Sequence, residues 1–471
     1  MKLANIFLAL QLFVAVGILY AQAPQTTPPP DSLERALQLA RLHQYAEAQA
    51  AIKNVPAPAE AAPRIAFFRL KAAIASGLGQ ANAAAEYMEA ASKLAPENLD
   101  LRLAAGIARL EAQVKTHVDP ATTLKSLRNA ALPPDREIEM RLRMAEILSH
   151  AGLYAEAATD FEAATRLAPA RTDLFFNLAL ARFRTGRWDA ALASAEQAKA
   201  LEDSGSLESL LGDIQEKRGD ALAAVHSYQA AVTLEPKEES HRLALALELL
   251  RHQTFDGALV VLEQAANLFA QSIRVKILLG LTYYLVDRSP DAIHALLEAS
   301  QLDPQDGTTA RYLGEITLGD TANPDPAAVT QLCAFADQQP KNKTADAFCA
   351  GVLLRLARDA GDASRKPEIL RRLQHAVRVA PGEPTAQCQF GKALEWAEQW
   401  QEARTHMEAC VRLDPDSPEG HYRLSRIYRH LGLTRLASRQ TLLQQQAAQR
   451  QSEESVRRTN TVTKFLVLLE H

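Results

Sequence analysis

Met144-Ala145-Glu146-Ile147-Leu148, then Gly152-Leu153-Tyr154, then Ala157, Phe161 and Ala164 up to Leu167-Ala168-Pro169, is the stretch that decides how this chain folds. Apolar and small residues recur at helical spacing on both sides of the glycine, and the proline closes the second run, so the stretch is a pair of helices joined by a tight turn. The closing tripeptide returns as Leu201-Glu202-Asp203, Leu234-Glu235-Pro236, Leu302-Asp303-Pro304 and Leu413-Asp414-Pro415, at an interval of about 34 residues. That is the period of a helical-hairpin array, in which each unit buries its apolar face against its neighbours, so that surface rather than a pocket carries the activity.

The same spacing recurs in residues 172–204, with Leu178, Ala179, Gly186, Trp188, Ala191 and Ala198. It recurs again in residues 205–238, with Leu211, Gly212, Gly219, Ala224, Tyr228 and Ala231. Further units carry Leu245, Ala246, Phe255, Ala258 and Ala265; Leu279, Gly280, Tyr283, Ala292 and Ala299; Phe390, Gly391, Trp400, Ala403 and Cys410; and finally Leu424, Ser425, Tyr428, Gly432 and Ala437. Small residues at the eighth and twentieth positions, such as Ala145 and Ala157, let the paired helices approach closely. Position by position the units resemble the tetratricopeptide repeat across most of the chain. The resemblance implies an all-α fold, a right-handed α-α superhelical solenoid of roughly eleven hairpins, with protein binding as its activity and no cofactor.

Composition agrees with helices: aromatic residues make up 6% of the 471 residues. Lys and Arg number 52 against 56 Asp and Glu, a formal charge of -4, so no whole-molecule field draws in nucleic acid. Residues 1–23 read as an export signal, with Lys2, an apolar run from Leu3 to Tyr20 and the small-residue triplet Ala21-Gln22-Ala23. The alternative is an uncleaved membrane anchor, because the apolar run approaches a bilayer-spanning length. No Cys follows the run that would direct lipidation. The expected location is the periplasm or the extracellular space.

The expected order along the chain is a signal peptide (1–23), a Pro-rich leader (24–31), divergent N-terminal helical repeats (32–134), a regular array (138–306), irregular units with long loops (307–383), C-terminal repeats with a capping helix (384–451) and a tail (452–471). Within it, residues 319–326 and 361–367 lengthen turns, as a hinge or contact or as tolerated loop variation. Four cysteines face an oxidising compartment if the chain is exported. Cys388 and Cys410 fall at the same end of one hairpin, and Cys333 and Cys349 lie on consecutive helices. Each pair reads either as a disulfide or as two buried small hydrophobes.

The twelve histidines form no His-Glu-Xaa-Xaa-His run and the cysteines no Cys-Xaa-Xaa-Cys, so no metal site is expected. Gly391-Lys392 lacks the preceding glycine of a phosphate loop, and there is no nucleophile elbow, so no enzyme is expected. In tetratricopeptide arrays the second, fifth, ninth and twelfth positions of the first helix line a concave groove. Here those positions include Phe176, Leu180 and Phe183, then Leu243, Leu247 and Leu250, then Ile277, Leu281 and Tyr284. The stripe reads as a groove for the apolar face of a partner helix or an extended segment, or as packing between adjacent first helices. Some family members clamp a terminal carboxylate with an Asn at the ninth position. Glu146, Leu180, Asp213, Leu247, Leu281 and Glu315 stand there, so that clamp is not implied.

Residues 418–458 hold eight arginines (Arg423, Arg426, Arg429, Arg435, Arg439, Arg450, Arg457 and Arg458) against three acids (Glu419, Glu453 and Glu454). This basic helical end suits peripheral contact with an anionic membrane or polymer, or else is the solvated cap of the array. Phe465 to Leu469 is too short to span a bilayer. The reading as a whole is a non-catalytic protein-binding scaffold exported to the cell envelope. Its alternative is a structural component of an envelope secretion or polysaccharide-export assembly.

Overall fold

Several helices start from local chemistry. Asn98, Ser204, Asp220, Ser272 and Ser417 each accept a backbone N–H from the first turn of the helix they precede, and Asp325 accepts two, from Ala327 and Ala328. Between the two helices of a hairpin the chain passes through one left-handed residue. Gly152 and Gly219 take it at φ 76° and 82°, whereas Gln253, Asp287 and Glu398 hold the same region at φ 58° to 60° despite carrying a Cβ.

The computed structural model describes residues 30–319 and 324–453. The expected signal peptide, most of the leader, the centre of the 319–326 loop, and all but the first two residues of the tail, including Glu454, Arg457, Arg458 and Phe465 to Leu469, lie outside the described residues. Among the described residues there is no strand. The chain divides between Asp203 and Ser204 into two compact units, a division that falls inside the stretch expected as one regular array. At that point the Leu-Xaa-Pro closure is absent and Glu202 and Ser204 are both extended, with φ -158° and -154°.

Among its described residues the first unit contains five hairpins: α1 (Pro30–Arg41) with α2 (Tyr45–Ile52), α3 (Ala61–Gly77) with α4 (Ala81–Leu94), α5 (Leu99–Lys115) with α6 (Ala121–Arg128), α7 (Pro134–His150) with α8 (Tyr154–Leu167), and α9 (Thr172–Arg184) with α10 (Trp188–Leu201). Two second helices, α2 and α6, are only 8 residues long, against 14 in α4, α8 and α10. Those short helices fall in the stretch expected to diverge.

Among its described residues the second unit contains seven: α11 (Gly205–Arg218) with α12 (Ala221–Leu234), α13 (Glu239–Arg251) with α14 (Phe255–Leu268), α15 (Ile273–Leu285) with α16 (Ser289–Leu302), α17 (Gly307–Gly319) with α18 (Pro326–Gln338), α19 (Ala345–Asp359) with α20 (Lys366–Val379), α21 (Pro384–Trp396) with α22 (Trp400–Leu413), and α23 (Pro418–His430) with α24 (Thr434–Glu453). A short 3-10 turn, Ala363–Arg365, fills the insertion between α19 and α20.

Small residues sit where paired helices touch. Ala145, Ala157, Ala179, Ala191, Ala246, Ala258 and Ala292 are all fully buried. The core continues from hairpin to hairpin: Leu243, Leu247 and Leu250 pack with Val275, Leu278 and Leu279 of the following hairpin. Ile277 and Leu281 in turn pack with Tyr312, Leu313 and Ile316. All four cysteines are joined, Cys333 to Cys349 and Cys388 to Cys410, with S–S distances of 2.07 and 2.03 Å.

Candidate functional site

The apolar stripe along the first helices divides into two classes in the structure. Leu243, Leu247, Leu250, Ile277 and Leu281 are core residues, at most 9% exposed. The reason is the packing just described, because in the second unit each first helix lies against the next and encloses the side chains between them. These five therefore offer no open groove. Phe176, Leu180 and Phe183 in the first unit and Tyr284 in the second are half-buried and keep part of their surface in water.

A different face of the second unit carries convergent, partly exposed polar groups. It is built on α21 and α23, the first helices of the last two hairpins. Helical spacing sets it up: Lys392 and Glu395 are three apart, Glu419 and Arg423 are four apart, and Tyr422 and Arg426 are four apart. Packing of the two helices then brings the sets together. Lys392 Nζ donates to Glu419 Oε2 at 2.5 Å, and Arg423 Nε donates to Glu419 Oε1 at 2.8 Å. Arg423 also donates through Nη1 to Glu395 Oε2 at 2.9 Å, and Arg426 Nε lies 3.5 Å from Glu395 Oε1.

Burial grades this cluster from floor to rim. The Lys392, Arg423 and Glu395 side chains are nearly enclosed, whereas those of Arg426 and Glu419 are about half exposed. Tyr422 is 48% exposed, with the Arg426 guanidinium 6.0 Å from its ring centroid. Burial pushes the Lys392 ammonium below its ordinary value, and Arg423 and Arg358 add to this against the pull of Glu419. Burial also works against the Arg423 guanidinium, but Glu419 and Glu395 outweigh it and hold its pKa above the ordinary value. For Glu419, burial is outweighed by Lys392 and Arg423, which keep its carboxyl below the ordinary range. Around two carboxylates stand four cations, Arg358, Lys392, Arg423 and Arg426, so the face retains positive charge.

The positive charge that such an arrangement retains attracts anionic groups. Among the described residues no three His, Cys, Asp or Glu side chains come together as a metal site requires. In the sequence Glu419, Arg423 and Arg426 belong to the basic C-terminal stretch, and Lys392 stands out only beside Gly391 as an incomplete phosphate loop. Their i, i+3 and i, i+4 spacings were the available signal, while the pairing of α21 with α23 needed the tertiary structure.

Residues 142–205 match the family model described as tetratricopeptide repeat. No curated protein matches the chain. Among solved structures it is similar to YrrB, a tetratricopeptide-repeat protein with an unusual peptide-binding site, at 19% identity over 40% of this chain and 100% of that one, TM-score 0.33. It is similar also to the C-terminal part of a repeat protein from Cytophaga hutchinsonii, at 17% identity over 60% and 99% of the two chains, TM-score 0.42. Yeast Tom70 matches at 16% identity over 92% and 98%, TM-score 0.33. The family match at residues 142–205 spans the hairpins α7–α8 and α9–α10, and helical hairpins precede and follow it along the chain.

Proposed function

We propose that this protein is a non-catalytic interaction scaffold of the cell envelope that holds an acidic segment of a partner protein on the face formed by α21 and α23. The observation that carries the reading is the cationic excess around Lys392, Arg423 and Arg426 beside the exposed ring of Tyr422. Arg and Tyr are the residue types that concentrate binding energy at protein interfaces, and unneutralised positive charge selects an acidic partner. In the first unit Phe176, Leu180 and Phe183 supply half-exposed apolar contact area for the same kind of partner, as Tyr284 does in the second. Export rests on the pattern of residues 1–23 and is supported by two disulfides that take up all four cysteines, since such bonds persist in oxidising compartments.

The test is capture from envelope extract by residues 24–471, beside the surface variant Y422A/R426E, with bound proteins identified by mass spectrometry. A partner that is lost with the variant and released at about 1 M salt, where the Debye length falls to about 3 Å, supports the reading. Retention of every captured protein by the variant removes this face as the binding site.

A second reading, a structural component of a secretion or polysaccharide-export assembly, is favoured by α24. There Arg435 and Arg439 are exposed and, among the described residues, pair with no carboxylate. Those side chains are placed to meet an anionic polymer or lipid. Co-sedimentation with anionic vesicles that R435Q/R439Q abolishes would favour this reading over the first.

A further inference from the structure

The first unit contains a cavity between α2, α3 and α4. Helix α2 stops at Ile52 after 8 residues, because Pro56 and Pro58 follow and a proline cannot continue the helix. The loop that follows is tied to α3, with Pro58 O accepting from Arg64 Nε at 2.6 Å. Alongside α2, residues of the three helices line a cavity of about 500 Å3, within the range of small-molecule sites.

Its lining has a definite chemistry. Buried Ile52, Ile74 and Ala75 close the floor, while exposed Ala46 and Ala50 and the ring of Tyr87 provide apolar walls. Lys53 and Lys71 stand at its edge, and no lining side chain is acidic. The Lys71 ammonium lies 4.9 Å from the Phe67 ring centroid and 5.3 Å from that of Tyr87, which holds it in place without neutralising it. Among the described residues neither lysine pairs with a carboxylate. Two cations over an apolar floor attract an anion that carries an apolar body.

We propose that this cavity is a binding site for a small carboxylate with an aliphatic tail. The two ammonium groups hold the carboxylate, and the walls of Ala46, Ala50 and Tyr87 take the chain. At about 30 Å3 per non-hydrogen atom, the volume corresponds to roughly fifteen such atoms, the size of a carboxylate with about a dozen carbons. The site lies in the first unit and is independent of the α21–α23 face.

The test is isothermal titration of the full chain with sodium dodecanoate below its micelle threshold, beside dodecyltrimethylammonium, which has the same tail and the opposite charge. One-site binding of dodecanoate, absent for the cationic amphiphile, is expected. K53Q/K71Q weakens it by about tenfold or more, the scale of one charge-assisted hydrogen bond. Lys53 is exposed, so K53Q alone keeps the fold and still lowers affinity. A50W, placed on the exposed rim to fill the cavity, abolishes binding while the thermal melt stays in place. Four outcomes overturn the proposal: no binding of dodecanoate, equal binding of the cation, binding indifferent to A50W, or tighter binding of a short peptide with a free C-terminal carboxylate.

Discussion

Gly212 and Tyr228 face each other across the α11–α12 hairpin so closely that a Cβ on Gly212 would stand 2.6 Å from Tyr228 Cε1 and 2.7 Å from Cδ1. A phenol ring cannot flex at those atoms, and this one is anchored by donating its hydroxyl proton to Asp213 Oδ1 at 2.6 Å. In an open helix Gly→Ala stabilises by about 1 kcal/mol. Here overpacking reverses the sign, and G212A should lose roughly 1–3 kcal/mol in urea unfolding. Shortening the neighbour in G212A/Y228L should recover part of the loss; a stabilised G212A would show that the two helices separate without cost.

Asp160 is wholly buried on α8 and is enclosed by two guanidinium groups, Arg128 Nη2 at 2.7 Å and Arg141 Nη1 at 2.9 Å. The hydrogen bond to Asp160 is the main cause that raises the Arg128 pKa. D160N keeps the shape and removes the charge, leaving two half-paired cations beside the core. The expected loss is about 3–5 kcal/mol by chemical denaturation, the scale of breaking a buried ion pair. A loss close to that of an exposed Asp→Asn control would mean that the network is solvated.

The disulfide Cys388–Cys410 closes a 22-residue separation within one hairpin. Cross-linking a loop of that size restricts the unfolded chain by about 3 kcal/mol. The double variant C388A/C410A should melt at lower temperature than the parent, and alkylation of the unfolded, unreduced parent should label no cysteine. Labelling of the parent would show free thiols and contradict the pairing.

Glu398 occupies the left-handed turn position between α21 and α22 at φ 60°, where Gly432 serves in the following hairpin. A Cβ there costs about 1 kcal/mol, partly offset in glycine by a freer unfolded chain. E398G should therefore gain about 0.5 kcal/mol, read as a rise in melting temperature, whereas G432A should lose stability.

Four glutamates, Glu162, Glu235, Glu298 and Glu419, are held below their ordinary value of 4.5 by basic neighbours. Glu235 is held chiefly by its hydrogen bond with His241 and Glu298 by that from Lys276, while for Glu419 burial is outweighed by Lys392 and Arg423. A lowered folded-state pKa means that the unfolded chain takes up protons first as pH falls. The stabilisation is thus complete above about pH 4.5 and drains away below it. Urea midpoints measured from pH 7 to pH 3 should fall in that window, less steeply in E235Q/E298Q; identical slopes would exclude these groups as the source.

Much of the fold was legible along the chain because its determinants are local and periodic. Ala145, Ala157, Gly152 and Pro169 state helix contact, turn and stop within one 34-residue period, and an array needs only neighbour contacts to propagate. Helix spacing also put Cys388 and Cys410 at one end of a hairpin. What the tertiary structure alone decided was which side chains meet water and which meet each other. Leu247 and Leu281 share a sequence position with Leu180, yet the next first helix covers them while Leu180 keeps part of its surface. Lys392 joins Glu419, and Lys53 and Lys71 line one cavity, only because separate helices pack at particular distances. Periodicity repeats a residue's angle around its own helix, but exposure and pairing depend on the neighbouring helix, which that periodicity does not encode.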